Sequence, residues 1–534
     1  MIWVFGLAWP ACCAGTMAET GKRPMDKREM SHGGIYRAPL LNNPSTLDPP
    51  FVKDMYGVAV VQQLFDGLVQ FSPELYVIPA LAESWQVEDG GKTYRFALRN
   101  DARFHNGYRV TSEDVLFSLS RLLRLEPPPA ILPHLLKIAG ARDYMDRKTE
   151  GVAGLTAVGE HTVVVRLEET HVPFIVALGT YQAKIVPRQA VEKDPQGFGY
   201  KPVGSGPFKF VSWEENKSIR LQGFQEYHGG RPLLDGIELV IYPGIGVEGV
   251  WADFQRGELD QMAVYGDIRE KLKGRTDLQW AHRPSLNLQF YGFNCEHPLL
   301  KDPNLRVALS KALDTGRLVA EAYNGREGIA KGILPPGLPG YHPRDPGVGE
   351  DLPGALERMK QARGGANVSY PIEIVSNSQS PLARAELEFV RESWARLGID
   401  LKVKFIPDWS QFEQYLKSDS LQVYRYVWFA DIPDADDILR PLFSTDSQFN
   451  FTRYRNAKVD EMLHKALGIV DPVERAGLYR QIEEGILDSG PIIPLAHLIT
   501  DFVYQPNVQG IEVSALGAHT MSFHRVWLKS PVRR

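Results

Sequence analysis

The residues best placed to hold a small molecule lie in one run, Val427-Trp-Phe-Ala-Asp431-Ile-Pro-Asp434-Ala-Asp436, which follows Val423, Tyr424 and Tyr426. Apolar and aromatic residues build a strand, and Pro433 with the Asp residues stops it. A strand end followed by a turn can present a fixed side chain to a cleft. Asp431 stands there, close to Trp428, whose ring excludes water, and to Phe429. A carboxylate in a poorly hydrated place stays charged only when it is paired. The partner is then either a protein Arg or the amine of a ligand.

Other chemistries have weaker support. Gly244-Ile-Gly246-Val-Glu-Gly249 is a literal G-x-G-x-x-G between an expected strand and an expected helix over Val250 to Arg256, with Asp267 beyond it. That spacing suits a dinucleotide pyrophosphate. However, Pro243 separates strand from glycines, and no run of βα units follows, so a loop joining strand to helix is the better reading. No G-x-S-x-G or G-x-x-x-x-G-K-[ST] occurs. Gly204-Ser205-Gly206-Pro207 reads as a tight turn requiring positive φ. The 13 His are scattered and give no metal-ligand spacing, so no metal is assigned. Of three Cys, two (Cys12 and Cys13) lie in an apolar leader; Cys295 ends an apolar strand and reads as a buried, inert thiol.

The elements that must position Asp431 follow from periodicity. Thr93–Arg99 and Thr162–Leu167 alternate as half-buried strands. Phe208–Trp213 and Ser218–Leu221 form an expected hairpin, and Ile237–Tyr242 and Gln289–Asn294 are further strands. Helices are expected at Ser112–Leu123, Asn304–Leu313, Leu382–Leu397, Asp460–Leu467 and Pro472–Asp488. The stretch from Leu334 to Pro353 is a Gly/Pro-rich surface excursion or lid. At 534 residues the chain needs two to four domains. It is 43% hydrophobic and 23% charged, an ordinary globular composition, and a net charge of −5 argues against nucleic acid as partner. The 38 Pro and 48 Gly favour loops and short strands over a helical bundle. Ile2 to Gly15 is apolar, ends in small residues and is too short to span a bilayer, so residues 1–32 read as export signal and tether. A positive segment before it is missing. Trp9-Pro-Ala-Cys12 fits lipid attachment poorly, which leaves a lipid tether as an alternative.

Several segments, in order, resemble the family-5 extracellular solute-binding proteins, the dipeptide- and oligopeptide-binding group. Asn43-Pro-Ser-Thr-Leu-Asp48-Pro49 is similar to the family's opening T-L-D-P loop. Gln63-Leu-Phe-Asp-Gly67-Leu68-Val69, Pro79-Ala-Leu-Ala-Glu83-Ser84-Trp85, Phe104-His-Asn-Gly107, Val110-Thr-Ser-Glu-Asp114-Val115, Val203-Gly-Ser-Gly206-Pro207-Phe208, Phe293-Asn294 and Arg306-Val-Ala-Leu309 follow at family spacing. The resemblance covers roughly residues 33 to 528. It implies an α/β fold, a periplasmic-binding-protein type II-like two-lobed clamp with an extra subdomain. One lobe would comprise 33–75, 203–288 and 500–534, the subdomain 76–202, and the other lobe 289–499.

The run at 427–436 looks like the family's G-W-x-A-D-Y-P-D-P, in which the Asp after Ala grips a peptide α-ammonium. By that resemblance Asp431 is the ligand anchor and Trp428 lines a side-chain pocket. Arg425 lies where some relatives carry a basic residue near the ligand, its alternative being a surface salt bridge. With Phe429 these form the expected ligand-binding set. Val427, Ile432 and Ala435 depart from the family's Gly, Tyr and Pro, and Asp434 is expected to cap the following helix. The opening loop from Asp48 to Tyr56 would face the cleft. The resemblance implies a non-enzymatic, exported, periplasmic protein that needs no cofactor. It would capture short peptides, as a monomer, for an ABC permease pair with separate ATPases. A nickel chelate, haem, opine or oligosaccharide ligand, a sensor without transport, and a dehydrogenase using Gly244 to Gly249 remain the alternatives.

Overall fold

The computed structural model describes residues 32–529 except 245, 265, 267, 324–326, 344–349 and 364–369. The expected leader with Cys12 and Cys13, Asp267 and part of the Gly/Pro excursion lie outside the described residues. The structure is an α/β clamp with three separate cores. In the first, a four-stranded sheet runs in the order Ile35–Leu40, Gly236–Ile241, Ser218–Gly223, Phe208–Glu214. The expected hairpin is its antiparallel pair Phe208–Glu214 with Ser218–Gly223. Beside it lies a three-stranded sheet, Gln261–Ala263, Ile499–Tyr504, Gln279–Pro284. The Met55–Leu64 helix packs into the core under the four-stranded sheet through Val58, Val61 and Leu64.

The second core belongs to an antiparallel sheet, Ala82–Glu88, Thr93–Leu98, Thr162–Arg166, Leu155–Ala157, covered by the Ser112–Leu122 helix. Thr111 and Asp114 form a reciprocal capping box at the start of that helix, which satisfies two otherwise orphaned donors.

The third core is built around six strands in the order Gly328–Ile329, Ile492–His497, Asn287–Phe293, Val423–Phe429, Tyr370–Ser376, Ile399–Phe405. Helices cover both faces. Pro381–Ala395 lies on one, and Trp409–Leu416 and Pro472–Ser489 on the other. Tyr370–Ser376 runs parallel to both of its neighbours, so three strands end at the same edge. The chain leaves Tyr370–Ser376 for the strand on one side and later enters the strand on its other side. This is a topological switch point, where the carboxyl ends of strands open a crevice. Gly292 lies opposite Tyr424 in this sheet, and a Cβ there would run into the tyrosine ring.

Two expectations need correction. Gly204 and Gly206 do not have positive φ. They are small because the backbone of the preceding helix end lies against them: a Cβ on Gly206 would come 2.6 Å from the Leu64 carbonyl carbon and 2.7 Å from the Gln63 oxygen. The helix expected from Asp460 begins at Ala457 because Asn456 caps it, its Oδ1 accepting from the N–H of Lys458 at 3.1 Å and of Val459 at 3.3 Å.

The chain passes between the first and third cores at two adjacent places, 284–287 and 497–499. Asn287 is fully buried between them. Its Nδ2 donates to the carbonyls of Ser285 and Leu498, both at 3.1 Å, and its Oδ1 accepts from Leu498 N–H at 2.7 Å. Its own carbonyl bonds His497 Nδ1 at 2.7 Å. One side chain therefore ties both crossings together. Replacing Asn287 by Ala leaves buried backbone groups unpaired. A loss of about 1–3 kcal/mol is expected, read as a lower urea midpoint in equilibrium unfolding.

Candidate ligand-binding cleft

Strand alternation sorts the expected site residues. Tyr424, Tyr426 and Trp428 point to one face of the Val423–Phe429 strand, and Val423 and Arg425 to the other. Beyond the strand, the Ala430 N–H donates to the Leu286 carbonyl at 2.9 Å, which holds the turn against the neighbouring strand. Asp431 follows at the shared carboxyl edge. Solvent reaches it, yet surrounding protein desolvates its carboxyl and raises its pKa above the ordinary aspartate value. Among the described residues no Lys, Arg or His forms an ion pair with it.

The turn is held from behind by Asp437, in the first turn of the Asp436–Phe443 helix. Asp437 Oδ2 accepts from the backbone N–H of Asp431 at 2.6 Å and of Ile432 at 3.2 Å. Trp428 Nε1 donates to the Asp437 carbonyl at 2.9 Å, and its ring meets Phe449 edge-on at 5.5 Å. Burial, followed by the nearby Asp431 charge, pushes the Asp437 carboxyl up to about 8. Asp434 caps this helix by accepting the Asp436 N–H at 2.9 Å. It also holds Arg475 in a bidentate pair at 2.7 and 2.9 Å. Burial pushes its pKa up, but Arg475 prevails and holds it below the usual value.

Among the described residues, Tyr181 is the one tyrosine whose hydroxyl pKa is raised, beyond the effect of burial, by the charge of Asp431. Its hydroxyl, which donates to the Val52 carbonyl at 3.4 Å, is pushed up to about 12 by burial and then by the charges of Asp431 and Asp54. Through this hydrogen bond Tyr181 is tied to the opening loop at Val52. Asp48 in that loop is committed elsewhere, to Arg121 at 2.9 and 2.5 Å.

Asp431, Trp428 and Phe429 come together at one strand end, with Phe429 58% exposed. Arg425 does not join them. It is buried, and its Nε bonds both oxygens of the fully buried Glu386 at 3.0 Å. Tyr291 and Gln289 complete that cluster at 2.5 and 3.1 Å from Glu386. The expectation of a ligand contact or surface salt bridge at Arg425 does not fit this placement, because strand alternation turns the side chain into the core. Tyr181 and Asp437 carry no local sequence signal of their role. The G-x-G-x-x-G segment does open a helix, Gly246–Gln255, but the next strand pairs antiparallel with Ile499–Tyr504 in a different sheet, so no βαβ unit forms. Burial pushes the Cys295 thiol up to about 11, which disfavours the nucleophilic thiolate.

Two outcomes follow. Arg425→Ala strands a buried Glu386 charge and is expected to cost about 3–5 kcal/mol in urea unfolding. Asp437 binds a proton in the folded state at pH values where the unfolded chain has lost it, so its contribution to stability falls as pH rises from about 4 to about 8. Asp437→Asn keeps an oxygen acceptor for both N–H groups and removes that titration. The variant is expected to show a flatter pH profile of melting temperature and a higher value than wild type at pH 8.

The profile of the bacterial extracellular solute-binding proteins, family 5, middle region, matches residues 76–450. The chain is 27% identical over 482 residues to the heme-binding protein A of Haemophilus influenzae, covering 85% of each. It is 29% identical over 479 residues to the peptide transport periplasmic protein SapA of Salmonella typhimurium, again covering 85% of each. Among solved structures, HbpA2 from Haemophilus parasuis superposes with a TM-score of 0.81 at 25% identity, over 93% of this chain and all of that one. With the profile spanning well over half of its length, the chain belongs to the bacterial extracellular solute-binding proteins of family 5.

Proposed function

We propose that this family-5 solute-binding protein captures short peptides with Asp431 as the anchor for their α-ammonium group, and delivers them to an ABC permease pair driven by separate ATPases. The observation that carries the reading is the Asp431 carboxylate, set at a strand edge and desolvated, with no cation paired to it among the described residues. A ligand ammonium would supply the missing charge through a charge-assisted hydrogen bond. The peptide transport name of the SapA relative supports this. A haem, the ligand named for the Haemophilus influenzae relative, would bring propionate carboxylates, which Asp431 repels. The protein works as an exported monomer in the periplasm in this reading.

Thermal-shift and calorimetric titration with di- to pentapeptides test it. Free-amine peptides should raise the melting temperature by mass action. N-acetylation of the peptide, or Asp431→Asn, should weaken binding by on the order of 2–5 kcal/mol. Equal affinity for acetylated peptides would remove Asp431 from the anchor role. Failure of every peptide to bind would remove the peptide reading.

A further inference from the structure

Two carboxyl groups share the turn that carries Asp431. Asp437, at the start of the Asp436–Phe443 helix, reaches back so that its Oδ2 accepts from the N–H of both Asp431 and Ile432. Two hydrogen bonds to one oxygen fix the turn, and the other oxygen, Oδ1, is left to carry a proton. Asp437 is only half-buried, and a proton on it exchanges with water.

The charges around this pair are accounted for element by element. Asp434 is held by Arg475 of the Pro472–Ser489 helix, and Asp436 by Arg440 of its own helix, both bonds of the latter at 2.8 Å. From the strand, Trp428 presents an uncharged indole N–H, which goes to the Asp437 carbonyl rather than to its carboxyl. Tyr181 stays neutral, because burial first and nearby carboxylates second push its hydroxyl up to about 12. Among the described residues no Lys, Arg or His forms an ion pair with Asp431 or Asp437. Two carboxyls on one turn without a cation resist ionising together, and one proton is retained. It falls mainly to Asp437, pushed up to about 8 by burial and then by the Asp431 charge.

Resting on peptide capture at Asp431, we infer that Asp437 is a positioning residue that couples capture to proton release: it braces the turn as a neutral acid in the empty cleft and as a carboxylate once an ammonium group sits at Asp431. The arriving cation cancels the charge that Asp437 faces. A unit positive charge about 6 Å away weakens proton binding by a carboxylate about 100-fold. The O–H bond at Oδ1 breaks, its electron pair stays on the carboxylate, and the proton passes to water. The ionised carboxylate accepts the same two N–H groups more strongly. Linkage sets the sign. Bound peptide weakens proton binding, so loss of the proton strengthens peptide binding by the same factor. Affinity therefore rises with pH, by about three- to six-fold per pH unit between about pH 6 and about pH 7.5. The rise ends at about pH 8, where the peptide's own α-amino group loses its proton.

The test is calorimetric titration of the full-length protein with the tightest-binding free-amine peptide of the di- to pentapeptide set. Repeating it at about pH 6.5 in buffers of different ionisation enthalpy counts the protons exchanged, and at that pH the peptide amine is already protonated. About half a proton or more should leave per peptide bound. Asp437→Asn, which keeps an oxygen acceptor and cannot ionise, should release none and should lose the rise of affinity with pH. Carboxyl-carbon NMR of the wild type, which depends on no variant folding, should show the Asp437 signal titrating at about pH 8 in the empty protein and at lower pH with peptide bound. Peptide binding without proton release, release that persists in Asp437→Asn, or an Asp437 signal that peptide does not move overturns the coupling and leaves peptide capture standing. Failure of every peptide to give binding heat overturns the peptide reading, and the coupling with it.

Discussion

The two lobes are joined by two adjacent stretches of chain, and Asn287 bonds both. Each lobe has its own core, so the bulk of folding energy lies within lobes. At the crossing itself, hydrogen bonds at 284–287 and 497–499 hold the two stretches side by side, and Ala515 and Leu75 pack onto the third core from the other side. Such a junction permits rotation about a narrow axis while keeping the two strands in register. Clamp proteins close on ligand by hinge motion of this kind, absorbed by a few residues at the ends of elements. A buried Asn suits the place because its amide satisfies both donors and acceptors of the crossing backbone.

Charge is arranged differently inside the lobes and at the cleft. Asp48 is held by Arg121, Glu386 by Arg425, Asp434 by Arg475 and Asp436 by Arg440, the last at 2.8 Å. These pairs fix loops and helices in position. Among the described residues neither Asp431 nor Asp437 behind it forms an ion pair with an arginine, so Asp437 adds a second carboxyl rather than a counter-charge. Burial of two neighbouring carboxyls disfavours their charged forms and raises both pKa values. Arg425, by contrast, shows that a cation in the same strand can be entirely structural when alternation turns it inward.

Much of the fold was legible. The strands at 93 and 162 and the helices at 112 and 381 show clear periods, because one face of each meets a core and the other is more open to water. The order of short motifs along the chain identified the clamp. Of the candidate site, the sequence marked only the strand end that carries Asp431. Asp431 is marked by a local pattern, an aromatic strand running into Pro and Asp. Tyr181 is not, because it is distant in sequence, and the Asp437 support is not, because which carboxyl of the acidic run turns back to the Asp431 and Ile432 N–H groups is set by the turn geometry. Gly204 and Gly206 misled for a related reason: a glycine required by a neighbouring backbone carbonyl reads in sequence like a glycine required by φ.

By itself, the sequence determined the α/β class, the family, and a carboxylate at the end of an aromatic strand. These depend on local periodicity and on residues adjacent in the chain. Tertiary structure alone decided that Arg425 belongs to Glu386, that no cation among the described residues pairs with Asp431, and that residues near 41, 55, 250, 502 and 523 enclose one apolar space. Each of those facts is a distance between segments far apart in sequence, and burial, pairing and cavity shape are set by such distances.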